Sequence, residues 1–153
     1  AQVQFSLALR EAMNLAVTMI NKIEFIRSEL LLLKTSLKKK SDLKQVDQLT
    51  GMATQIAGSL YDIHLTGARE DAFRSPMKLY GRLSALASEI NSSGIDFKPT
   101  DQQGAVYEVL NQRLQKTKGE FDELIDHDIA AFNKKLNDLD MHIDIEKKME
   151  KDN

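Results

Sequence analysis

The chain has 153 residues, 42% hydrophobic and 29% charged, with a formal net charge of -2; this length suits one domain with one core, and the charge is too balanced to imply nucleic acid or an acidic membrane as the main partner. It contains no Cys, which excludes disulfides and thiolate metal or nucleophile chemistry without fixing the compartment. With 7 Gly, 2 Pro, no Trp and 6% aromatics, helix breakers are few and aliphatic side chains must carry the core.

Phe5, Leu9, Ala12, Ala16, Met19, Ile23, Ile26, Leu30, Leu33 and Leu37 recur at steps of four and three without a break. That spacing keeps one apolar seam of a helix facing partner helices. A first helix is expected over about 3–39. It is too long to stand alone with such a seam in water, so the remaining chain should cover it. Lys34, Lys38, Lys39 and Lys40 crowd its end, where the partial negative charge of the helix terminus favours cations.

Ser41 then offers an N-cap and Asp42 a first-turn anion, so a second helix should begin almost at once and run over about 42–66, antiparallel to the first. Leu43, Val46, Leu49, Ala53, Ile56, Leu60 and Ile63 form its stripe. Gly51 and Gly58 either weaken it, by roughly 1 kcal/mol each, or permit close helix contact. Ser75 and Pro76 announce a short third helix over 76–92, with Leu79, Leu83, Leu86 and Ile90 inward. Phe97, in the loop that follows, is expected to fold over the bundle end.

Thr100-Asp101-Gln102-Gln103 has the form of a capping box, with the Thr100 hydroxyl on the Gln103 amide and Gln103 reaching back. The fourth helix, about 101–145, shows Val106, Leu110, Leu114, Phe121, Ile125, Phe132, Leu136, Leu139 and Ile143 inward. The charged tail 146–153 has little to bury and should fray. No strand pattern occurs. The expected architecture is all-α, an antiparallel up-and-down four-helix bundle with long helices 1, 2 and 4 and a short helix 3 in a single unit over 1–145.

No signal peptide or spanning segment is visible: the first residues lack a basic region and a cleavage pattern, and the aliphatic run Leu30 to Leu33 is far short of the ~20 residues a membrane helix needs. A chain that begins inside a helical repeat without Met reads as an excised domain or a processed product.

From Arg74 to Asn133 four short runs occur in order. Ser75-Pro76-Met77-Lys78-Leu79-Tyr80-Gly81-Arg82-Leu83-Ser84-Ala85-Leu86-Ala87 is followed by Pro99-Thr100-Asp101-Gln102, then Val106-Tyr107-Glu108-Val109-Leu110, then Asp128-Ile129-Ala130-Ala131-Phe132-Asn133. Together they resemble the C-terminal helical region of bacterial sortilin-like proteins, whose main body is a β-propeller of BNR-type, glycosidase-like repeats. Tyr80-Gly81 and the 92–97 loop depart from that pattern. The resemblance implies an appendage to a larger, exported propeller protein, periplasmic or extracellular, whose partner is its own propeller or another protein. It carries over no catalytic residue, because no propeller blade lies in this sequence, and repeat similarity does not establish hydrolysis.

A di-metal bundle site needs Glu-x-x-His motifs and further inward carboxylates; no Glu precedes His64, His127 or His142 by three, so surface histidines are the plainer reading and no metal or other cofactor is expected. Asp128 lies between Ile125 and Phe132 along the fourth helix. It reads as a buried polar residue that fixes register by accepting donors from a neighbouring helix end or an Arg; a solvated edge position and a catalytic role are the alternatives. Leu7 and Leu32 lie nearly opposite the first seam, either as ordinary exposed residues or as contacts to the propeller or a second subunit. The lysines of 34–44 are explained by the helix end, without nucleic acid.

No phosphate loop, nucleophile elbow or recognisable Ser/His/Asp set is present. The sequence thus points to a non-catalytic accessory or interaction domain. A free-standing, self-associating helical adaptor is the second reading, and a metal-binding or enzymatic bundle a third.

Overall fold

A computed structural model describes residues 2–63, 78–92 and 98–137. The chain is an all-α four-helix bundle. α1 spans Gln2–Ser36, α2 Lys40–Leu60 and α3 Leu79–Ser92; the fourth helix consists of α4 (Asp101–Glu123), a π-helical segment (Leu124–Ile129) and α5 (Ala130–Asn137). No strand occurs among the described residues. Ser75, Pro76, Phe97, His64, His142 and the tail beyond 137 lie outside them.

The chain divides into two compact units: residues 1–20 with 57–118, and residues 21–56 with 119–153. In the first unit, Leu9, Ala12, Ala16 and Met19 of α1 are buried, as are Leu79, Leu83, Leu86 and Ile90 of α3 and Leu110 and Leu114 of α4. Phe5 is only half-buried; its ring meets Tyr107 edge-on at 5.3 Å between centroids. The Tyr107 hydroxyl is held above its ordinary pKa, by burial first and then by the nearby carboxylates of Glu108 and Glu11.

In the second unit, Ile23, Ile26, Leu30 and Leu33 of α1 are buried, with Val46, Leu49, Ala53 and Ile56 of α2 and Phe121, Leu124, Ile129, Phe132 and Leu136 of the fourth helix. α1 stops at Ser36 rather than near Lys39, and three residues later α2 turns back antiparallel to it, so that Lys34 Nζ reaches Asp47 Oδ1 at 2.9 Å. Ser41 is not the cap of α2. The Lys39 carbonyl accepts the amides of Asp42 and Leu43, each at 3.1 Å, which puts Lys39 at the cap position and the exposed Ser41 inside the first turn.

Two seams depart from the expected ones. On α2 the buried stripe extends back from Val46 by four residues to Asp42, not to Leu43, which is half-buried. On the fourth helix the buried positions run Leu110, Leu114, Thr117, Phe121, Leu124, Ile129, Phe132, Leu136. The single step of five, from Leu124 to Ile129, coincides with the π-helical segment. A regular α-helix would place Asp128 on the seam four residues after Leu124. The extra residue of the π turn instead brings in Ile129 and leaves Asp128 half-buried. Asp128 is therefore not a buried register residue, and it makes no hydrogen bond or ion pair among the described residues. Ile125 is likewise half-buried rather than in the core.

Neither Gly51 nor Gly58 marks a close helix approach, because a Cβ at either position would meet nothing within 4 Å.

Candidate functional site

Three polar arrangements stand out among the described residues. The first is an ion pair in the second unit whose carboxylate is buried and whose ammonium is partly exposed. Asp42, only 4% exposed, sits in the first turn of α2, and Lys135 Nζ of α5 lies 2.8 Å from its Oδ1. The ammonium is close but not in hydrogen-bonding alignment with Oδ1; its aligned bond goes to Gln45 Oε1 at 3.2 Å. Charge compensation, aided by the α2 terminus, is what permits the carboxylate to be buried. This is a clasp between helices rather than a reaction centre.

The second arrangement is Glu123 and His127, one turn apart at 3.6 Å, with side chains 67% and 70% exposed. A water-bathed pair of this kind is worth little. Among the described residues no group of three or more His, Cys, Asp or Glu could hold a metal ion, and no helix is long and apolar enough to cross a membrane.

The third is a groove in the first unit between α3 and α4. α4 begins on a reciprocal cap: the Gln103 amide donates to Thr100 Oγ1 at 3.1 Å and the Thr100 amide donates to Gln103 Oε1 at 3.0 Å. The Gln103 Nε2 donates onward to Glu89 Oε1 of α3 at 3.1 Å, so one side chain both caps α4 and ties it to α3. Behind that tie an open groove of about 280 Å³ is lined by Ala85, Leu86, Val106 and Leu110, with Arg82, Glu89 and Gln103 among its polar rim. Leu86 and Leu110 are buried at its floor. Val106 is 43% exposed and Val109, three residues on, 49% exposed. An apolar floor with a rim of one cation, one anion, two amides and a hydroxyl can hold a peptide segment.

Comparison with protein-family models, curated proteins and solved structures gives no significant match. What the chain can do must be argued from its own residues.

Of the sequence candidates, Thr100 and Gln103 meet as a cap; Leu7 and Leu32 are exposed, at 50% and 63%; Ser41 and Asp128 stand elsewhere than expected. The Asp42–Lys135 clasp and the α3–α4 groove were not singled out from sequence. The stripe of α2, extended back by four from Val46, would have found Asp42. Nothing local could have found its partner on α5.

Proposed function

We propose that this chain is a non-catalytic helical interaction domain, carried by a larger protein of the sortilin-like β-propeller kind. It packs on that propeller or holds another protein there, through the α3–α4 groove. The observation that carries the reading is Val106, an exposed valine on the wall of a groove whose floor is already apolar. A docked segment would remove Val106 from water, at a gain of roughly 25 cal/mol per Å² of apolar surface covered. The polar side chains of the rim, Arg82, Glu89, Thr100, Gln102 and Gln103, surround the place such a segment would take. The four sequence runs that resemble the sortilin-like C-terminal region include most of the groove lining, though not Glu89 or Gln103, which supports the propeller as the carrier.

Hydrogen–deuterium exchange tests this on the full-length protein and on the isolated chain. Amides of residues 82–89 and 103–110 should exchange more slowly in the full-length protein, and Val106→Asp should abolish that difference. Equal exchange in the two proteins would remove the groove as the docking site.

A further inference from the structure

α1 carries a second periodic stripe besides the one that lines the core. Within the first unit, Val3, Leu7, Arg10, Asn14 and Val17 follow at steps of four, three, four and three, the spacing that keeps one face of a helix turned toward a partner helix. All five are exposed, Val3 at 72%, Leu7 at 50% and Val17 at 38%. Arg10 and Asn14 have no hydrogen-bond or ion-pair partner among the described residues.

The order of this stripe is the informative part. Leu7, Arg10, Asn14, Val17 reads apolar, polar, polar, apolar in either direction. Two such helices laid antiparallel about a twofold axis level with residue 12 match themselves: Leu7 of each copy meets Val17 of the other, and Arg10 meets Asn14. In that arrangement the guanidinium would donate to the amide oxygen of Asn14, so that the two polar positions would satisfy each other in the middle of the contact. A parallel pairing would instead set Arg10 against Arg10, with like charges in contact.

We propose that a second copy of this chain docks on this face, through antiparallel pairing of α1 over residues 7–17. The interface uses none of the groove residues and stands without the function proposed above. A stripe of four side chains falls below the ~800 Å² per partner of a standard interface. The dimer is accordingly weak.

Sedimentation equilibrium of the 153-residue chain over a wide concentration range tests it, with circular dichroism confirming that each variant is folded. The parent should show a reversible monomer–dimer equilibrium, and Leu7→Glu should weaken it by roughly tenfold or more. Asn14→Asp should tighten it by about fivefold at low salt, because each Arg10 then faces a carboxylate, and Asn14→Lys should weaken it. A monomer at every concentration overturns the proposal. So does a dimer that Asn14→Asp weakens, which is the signature of parallel pairing, or one that no variant affects, which places the contact elsewhere or with a different partner.

Discussion

Deleting Asp128 should leave the protein folded and nearly as stable as the parent, although removing one residue from a helix is ordinarily ruinous. The π-helical segment is what makes the difference. Buried side chains on the fourth helix are spaced four, three, four, three and then five, from Leu124 to Ile129. Taking out Asp128 shortens that step to four and restores the α-helical repeat, so Ile129, Phe132 and Leu136, all at most 2% exposed, keep their places in the core. The expected change in stability is within about 1 kcal/mol. The matched control is deletion of Gln48, an exposed residue in the uninterrupted α2. Every residue after it turns by about 100°, so Leu49 and Ile56, both 4% exposed, leave the core. At ~2–5 kcal/mol for each large aliphatic side chain lost, the control sacrifices on the order of 5 kcal/mol, comparable with the whole stability of a small domain. Urea unfolding followed by far-ultraviolet circular dichroism compares the two. Equal loss in both variants would mean that the π segment does not absorb one residue, and the explanation of Asp128's position would fail.

Other substitutions probe the remaining structure. Gly51→Ala and Gly58→Ala should each raise stability by about 0.5–1 kcal/mol, since both sites are helical and open to a Cβ; unchanged or lowered urea midpoints would contradict this. Lys135→Ala should cost about 1–2 kcal/mol, less than a fully buried pair because the lysine side chain is 45% exposed. Adding Asp42→Asn to Lys135→Ala should cost little more, so full additivity in a double-mutant cycle would show that the two side chains do not interact. Tyr107 has a raised pKa in the folded chain, so the folded state retains its proton above the ordinary phenol range while the unfolded chain loses it. The stability this contributes is complete below the unfolded value near 10 and is lost as pH rises through the folded one. Tyr107→Phe should flatten the alkaline fall in unfolding midpoint; an identical fall in both proteins would assign it to other groups.

The fold class was legible because α1 states its seam in every turn from Leu9 to Leu33, and because Thr100 and Gln103 mark a helix start that the structure realises bond for bond. Periodicity was less informative where a seam carried a charge. At 42–43 an aspartate and a leucine compete for one inward position, and the apolar residue is the natural choice until Lys135 supplies compensation from α5. At 124–129 a count in threes and fours favours Ile125, four after Phe121 and seven before Phe132. The buried pair Leu124 and Ile129 stands five apart, and a π turn is invisible to such a count. The groove depends on how α3 and α4 meet, which no single helix encodes.

The central claim, an interaction domain borne by a larger protein, meets its most direct test in the mass of the native molecule. An antibody raised against this chain should detect, in extracts of the source cells, a species far larger than the 17.3 kDa of these 153 residues, with tryptic peptides from propeller repeats in the same band. A native species of 17.3 kDa without such peptides would contradict that claim.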